Sequence, residues 1–201
     1  MKSKIIFMLI LNICLCCCSI MNKKKIAYKE KKMKKFDLKD FNKYKNENLR
    51  TLKIDSITTV ELFEYEHIYM EKETKLRSPF ETRYEYYKNT LSLKTESQVF
   101  YSMLTGIFKE YDEKGNVIKE INYDQVCNTS INELIELVKN YAGIDLSQKI
   151  DGVSVYRIQK NLPEKSEYRI IYKTNPNSYR EILIDCNTGK IKSDILGNFI
   201  E

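Results

Sequence analysis

From residue 52 to residue 123, large apolar side chains alternate with charged ones. A period of two is the mark of a strand with one covered face and one wet face. Phe63-Glu64-Tyr65-Glu66-His67-Ile68-Tyr69 shows it most plainly, with rings separated mostly by glutamates. The same pattern predicts strands around Tyr84–Leu93 and Gln98–Leu104. The clearest hairpin runs from Ile107 to Tyr123, because Lys114-Gly115-Asn116 supplies residues tolerant of positive φ between two alternating strands. Ahead of these strands, Asp37 to Asn46 reads as a short helix. Asp37 is its N-cap, with Asp40 three residues on, and Leu38, Phe41 and Lys45 share a stripe.

The period then changes. Ile131, Leu134, Ile135, Val138 and Tyr141 recur at helical spacing behind a Ser130/Glu133 capping box, and Gly143 provides the stop. An amphipathic helix is therefore predicted over about 130–142. Strand-like segments follow at Val153–Lys160, Tyr168–Lys173, Arg180–Ile184 and Lys190–Leu196. The expected class is α+β: a mostly antiparallel β-meander with a short N-terminal helix, one amphipathic helix and a C-terminal antiparallel sheet.

Composition changes the picture chiefly at the start of the chain. Lys2 and Lys4 precede an apolar run from Ile5 to Leu15, interrupted only by Asn12. At a rise of about 1.5 Å per residue this run spans roughly 16 Å, about half of a bilayer's hydrocarbon layer. A short apolar run behind a positive start reads as a signal peptide. Charge is just as unevenly placed. The chain carries +6 overall, but Lys2 and Lys4 hold +2, residues 19–35 hold +7, and the remainder is −3. A slightly acidic body excludes a general nucleic-acid-binding surface.

The run ends in Cys14-Leu15-Cys16-Cys17-Cys18-Ser19, which resembles the lipobox of bacterial lipoproteins. Cys18 matches best as the acylated residue, with Leu15 three positions before it and Cys17 as the small neighbour; Cys17, Cys16 and Cys14 are the alternatives. The resemblance implies a signal peptide over 1–17 and a basic membrane-proximal tether over 18–35. It also implies lipid chains on the cysteine thiol and the freed amine, each buried methylene contributing about 0.8 kcal/mol. Ser19, rather than aspartate, implies sorting to the outer membrane, and the lack of an acidic tract implies its periplasmic face. The tether lysines either lie on anionic headgroups, at around 1 kcal/mol each, or simply keep a linker solvated.

Two further resemblances concern the body. Tyr86-Tyr87-Lys88-Asn89-Thr90-Leu91 echoes the stretch from Glu110 to Val117 at an offset of about 24 residues, with Gly106-Ile107-Phe108 ahead of the second copy. This resembles MORN-type repeats, notably those of bacterial antitoxin-like proteins, and implies a tyrosine-rich meander over 36–125. The first copy has Asn89-Thr90 where the family has a turn glycine. Ile182-Leu183-Ile184-Asp185-Cys186-Asn187-Thr188-Gly189-Lys190-Ile191, behind the predicted helix, resembles the end of PepSY domains and implies helix plus antiparallel strands over 126–201. The whole layout is similar to small Gram-negative envelope lipoproteins that bring no assigned activity.

Candidate chemistry is sparse. The single histidine, His67, lies in an alternating strand and reads as a partly buried structural residue with no metal-ligand spacing around it. No nucleophile elbow, phosphate-binding glycine loop or zinc-binding helix motif occurs. Asp185, Asn187 and Gly189 suit a hairpin turn better than a calcium loop, because Leu196 stands where the loop would need glutamate. Cys127 and Cys186 can pair, closing a loop worth roughly 4 kcal/mol, or stand as separate thiols. No motif places either beside His67. No metal, cofactor or catalytic residue is expected. The leading expectation is a non-enzymatic, lipid-anchored outer-membrane protein that binds another envelope protein or peptide. An immunity or inhibitor role against a toxin or protease is the alternative, and an enzyme built on scattered Asp, Glu and Tyr residues comes third.

Overall fold

The computed structural model describes residues 33–43, 50–53, 55–158 and 166–199. The signal peptide, the lipobox cysteines Cys14, Cys16, Cys17 and Cys18, and the tether up to residue 32 lie outside the described residues. Among the described residues no helix is long and apolar enough to cross a membrane.

The alternating region folds as expected into a meander. Strands β1 (Arg50–Lys53), β2 (Thr58–Glu64), β3 (Ile68–Lys75), β4 (Phe80–Tyr87), β5 (Leu93–Phe100), β6 (Met103–Tyr111) and β7 (Val117–Asn122) pair in chain order, each antiparallel to the next. Helix α1 (Leu38–Lys43) starts at Asp37, whose Oδ1 accepts from the Asp40 N–H at 2.9 Å. It covers one end of the sheet, where Phe36, Phe41, Val60, Leu62, Tyr86 and Leu93 form a small core. Phe36 stacks on Tyr69 with centroids 4.5 Å apart.

Three expectations are corrected. The segment Tyr84–Leu93 is not one strand: β4 ends at Tyr87, and a turn through Leu91, at φ 56°, leads into β5. Gln98–Leu104 is likewise cut between β5 and β6 by a turn at Tyr101, at φ 53°. Leucine and tyrosine carry no turn signature, and tertiary bonds hold them there. The Leu91 carbonyl accepts from the Phe36 N–H at 2.9 Å, while the buried Tyr101 donates from its N–H to Pro79 O and from its hydroxyl to Gln148 O. His67 lies in a turn rather than a strand. The Tyr65 N–H bonds the Ile68 carbonyl at 2.9 Å, leaving the His67 side chain 84% exposed beside Glu66.

Helix α2 (Ile131–Ala142) carries every expected signal. The Ser130 hydroxyl accepts from the Glu133 N–H at 3.3 Å, and the Glu133 carboxylate accepts from the Ser130 N–H at 2.7 Å. Gly143 closes it in the left-handed conformation at φ 74°. Strands β8 (Val153–Ile158), β9 (Glu167–Asn175), β10 (Ser178–Asp185) and β11 (Ile191–Asn198) form a second antiparallel sheet in chain order. Leu134, Ile135 and Val138 of α2 pack on Val155, Tyr168, Ile170, Ile182 and Ile184 of this sheet. Each such side chain contributes roughly 1.5–3 kcal/mol by leaving water. Phe100, Tyr101 and Met103 from the β5–β6 hairpin enter the same core, so the two sheets share it. The class is α+β, as expected.

Candidate binding face

Side chains of a strand alternate between its faces, so covering one face with α2 leaves the other to be accounted for. The helix side takes Val155, Tyr168, Ile170, Ile182 and Ile184. By register the opposite face carries the row Tyr156–Arg169–Leu183–Ser193 across all four strands, and beside it the row Ser154–Ile171–Glu181–Ile195. Among the described residues no helix or strand covers this face. Tyr156 is 40% exposed and Ile195 51%.

Charged pairs stitch the face together. Arg169 Nη2 bonds Glu181 Oε2 at 2.7 Å, and Lys192 Nζ bonds Glu167 Oε1 at 2.6 Å. Both pairings push the cations' pKa above the ordinary value, through the hydrogen bond to the carboxylate. Arg169 Nε and Ser193 Oγ, which flank Leu183, are buried without a hydrogen-bond partner. At the end of the sheet the Tyr179 ring lies where a Cβ on residue 197 would be, which is why Gly197 stands there. On the helix side β11 is locked to its neighbours. Arg180 grips Asp194 through two bonds of 2.6 and 2.8 Å, and the Tyr141 hydroxyl of α2 donates to Asp194 at 2.9 Å. These bonds, Arg180's first, hold the Asp194 carboxyl below its usual range.

A second feature is a cleft of about 300 Å³ where the meander meets the N-terminus of α2. Several of its polar groups serve the joint, while Arg157 Nε is buried there without a hydrogen-bond partner. Asp124 accepts from the Thr105 hydroxyl at 2.8 Å and from the Gly106 N–H at 2.9 Å. The Tyr168 hydroxyl donates to Thr129 O at 2.7 Å, Arg157 Nη1 donates to Leu104 O at 3.2 Å, and Glu133 occupies the helix N-terminus. Burial pushes the Tyr168 phenol upward, away from proton exchange at neutral pH. The cleft therefore reads as a hinge-pin of the fold rather than as a ligand site.

The residues singled out in the sequence fall as follows. Cys127 and Cys186 are joined in a disulfide, with Cα atoms 5.2 Å apart and 59 positions between them in the chain. The bond ties the approach to α2 to the β10–β11 turn, where the Thr129 N–H also donates to Cys186 O at 2.9 Å. Neither thiol is then free for His67 to activate. Asp185 makes the expected turn, its Oδ1 accepting from the N–H groups of Asn187 and Thr188, with Gly189 at φ 68°. Among the described residues no group of three or more His, Cys, Asp or Glu is placed to hold a metal. Cys18 and its alternatives lie outside the described residues.

The open face was not singled out in the sequence, yet a signal for it existed. Ile170-Ile171-Tyr172, Ile182-Leu183-Ile184 and Ile195-Leu196 are continuous apolar runs, not alternating ones. Such runs mark strands that are apolar on both faces, and one helix can cover only one of them.

Comparison with family models, curated proteins and solved structures returns no match.

Proposed function

We propose that this chain is a non-enzymatic lipoprotein, held by acyl chains on Cys18, whose C-terminal sheet binds another envelope protein or peptide through its uncovered face. One observation carries the reading: the face of the C-terminal sheet opposite α2 sets Tyr156, Ile171, Leu183 and Ile195 among paired charges, and among the described residues no helix or strand lies over it. Apolar side chains left in water among ion pairs are an ordinary composition for a protein-binding surface. The Cys127–Cys186 bond agrees with an oxidising compartment such as the periplasm. The hydrogen-bonded cleft supports a binding role over catalysis, because its titratable groups already serve the joint. Outer-membrane attachment with the body on the periplasmic side is part of the proposal and rests on the lipobox with Ser19 after it.

The binding claim is tested by placing a photo-crosslinking amino acid at Tyr156 or Ile195 in intact cells, with Lys119 on β7 as the control position. A recurring protein partner from the first two positions and none from the third is the expected result. Crosslinks to nothing but bulk porin and lipid, or the same products from all three positions, overturn it. The anchor is tested separately by palmitate labelling of the native protein and of Cys18→Ala.

A further inference from the structure

At the far end of the meander from α1, the turn between β3 and β4 combines greasy and basic groups in a way that neither sheet core uses. Leu76 and Ile57 are 68% and 56% exposed and are clasped side by side, the Leu76 N–H bonding Ile57 O at 2.7 Å. Lys75, Arg77 and Lys149 surround them, lining, with Lys72, a cleft of about 340 Å³ that also presents the hydroxyls of Thr59, Thr74 and Ser78.

Three carboxylates near the turn have other partners, although the Asp55 charge also feels Lys75. Glu61 pairs with Lys72, Glu81 pairs with Arg83, and Asp55 accepts the N–H groups of Ile57 and Thr58. Among the described residues, Lys75, Arg77 and Lys149 have no ion-pair partner. Arg77 also sits at φ 59°, a left-handed backbone that bulky side chains rarely adopt. Its carbonyl accepts the Lys149 N–H at 2.8 Å, which brings the third cation to the tip. Strain retained at an exposed loop tip asks for a use.

We propose that this tip docks on an anionic phospholipid surface, with Leu76 and Ile57 entering the headgroup layer and Lys75, Arg77 and Lys149 meeting the lipid phosphates. Two exposed aliphatic side chains would be idle in a site for free phosphate or nucleic acid. Three cations without a salt-bridge partner among the described residues, even with Lys149 Nζ lying 5.2 Å from the Tyr101 ring centre, would be out of place at a purely apolar protein contact. Together they match an interface that is greasy in the middle and negatively charged around it. The contact is additional to any acyl anchor. The fourteen residues between Cys18 and Met33 reach at most about 50 Å when extended, more than the roughly 25 Å length of the meander's strands. An anchored body could therefore present this end to the bilayer.

The chain contains no tryptophan, so a single introduced one reports on its own surroundings. Protein recovered from cells as Leu76→Trp, and separately as Ile118→Trp on β7, is mixed with vesicles of phosphatidylcholine and phosphatidylglycerol carrying brominated chains. The expected result is blue-shifted, bromine-quenched emission from Leu76→Trp and unchanged emission from Ile118→Trp. Adding Lys75→Glu, Arg77→Glu and Lys149→Glu to Leu76→Trp should abolish the quenching while the circular dichroism and melting curve stay as before. If those spectra change, the single variant Lys149→Glu is read instead, with a several-fold loss of quenching expected.

Unquenched emission from Leu76→Trp in vesicle-bound protein overturns the proposal, as does equal quenching at both positions. Binding of a short duplex DNA that depends on the three cations, with Leu76→Trp never quenched by lipid, would reassign the patch and overturn it too. Palmitate labelling reports on the anchor by itself, so the two readings fail separately.

Discussion

The two sheets finish their faces by different chemistry. In the meander, polar groups fill the middle of the face that α1 covers at one end, and they satisfy one another. The Tyr86 hydroxyl donates to Glu71 at 2.8 Å, Lys34 Nζ bonds the same carboxylate at 2.7 Å, and Lys34 lies 3.3 Å from the Tyr84 ring centre. The Tyr111 hydroxyl donates to Glu96 at 3.2 Å. Such a face can stand in water, and its apolar core is correspondingly small, with six buried residues. The C-terminal sheet instead has a larger core, shared with the β5–β6 hairpin and clamped by the disulfide, on one side. On its other side it has rows that mix apolar and charged side chains, with Tyr156 and Ile195 in contact with solvent. A sheet whose polar groups close on themselves is complete. The other leaves Ile195 half-exposed and two buried polar atoms, Arg169 Nε and Ser193 Oγ, without a hydrogen-bond partner.

The comparison is broken most severely by removing the clamp. Changing Cys127 and Cys186 together to alanine frees a loop of 59 positions, at an expected cost of about 4 kcal/mol. Urea unfolding of the native and double-variant proteins measures it. Because Phe100, Tyr101 and Met103 insert into the clamped core, tyrosine signals from both sheets should move together. A meander that unfolds at an unchanged urea concentration while the C-terminal sheet fails would show that the core is not shared in energetic terms.

The next largest effect lies in the meander. Tyr86→Phe keeps the ring and removes one donor from Glu71, which should cost about 2 kcal/mol, as for a hydrogen bond to a charged group. It should also change the alkaline limb. Burial first, and then the Glu71 charge, push the Tyr86 phenol far above its ordinary value of 10.0. The folded state therefore keeps a proton that the unfolded chain gives up. The stabilisation is fully present below about pH 10 and declines as pH rises beyond it. Native protein should lose stability steeply above that pH, and Tyr86→Phe should lose it more gently. Parallel curves for the two proteins would remove Tyr86 from the explanation.

What could be read from the chain beforehand followed the same division. Helix α2 was legible to its last residue because period, capping box and glycine stop all agree. The β6–β7 hairpin was legible through its glycine turn, and the β10–β11 turn through Asp185 and Gly189. The 24-residue echo corresponds to hairpin ends lying side by side, with the Tyr87 hydroxyl donating to Tyr111 O and Asn89 to Glu113. That is meander geometry and needs no particular family. Turns at Leu91 and Tyr101 were not legible, since distant partners such as Gln148 stabilise them and local composition says nothing. His67 misled for a related reason: alternation continues through the Tyr65–Ile68 turn, so nothing in the pattern marks the break. The open face was overlooked because continuous apolar runs announce two covered faces, and counting the covers requires the fold.

A smaller effect tests α2's start. Ser130→Ala removes the acceptor for the Glu133 N–H and should cost about 1 kcal/mol in the same urea experiment. The Glu133 carboxyl is held below its ordinary value by the Ser130 backbone and hydroxyl. This contribution is present above the unfolded value of 4.5 and fades as pH falls through the folded value. The gap between native and Ser130→Ala proteins should thus narrow in strongly acid solution to the part due to the hydroxyl's bond with the Glu133 N–H. A constant gap between them at all pH values would show that the serine acts without the carboxylate.

The smallest expected change in stability carries the most information about function. Ile195→Asp puts a charge on a half-exposed position of the open face, away from the α2 core, so the stability change should stay within about 0.5 kcal/mol. Val155→Asp, three strands away and facing α2, buries an unpaired carboxylate and should prevent folding. If the open face binds a partner, Ile195→Asp must abolish crosslinking from Tyr156 while its melting curve overlays that of the native protein. A destabilisation of several kcal/mol would mean that the face is already covered within the chain and has no vacancy for another. An intact crosslink in a normally folded variant would mean that Ile195 lies outside the contact. Only the combination of unchanged folding and lost contact separates a surface kept apolar for a partner from one kept apolar for the fold.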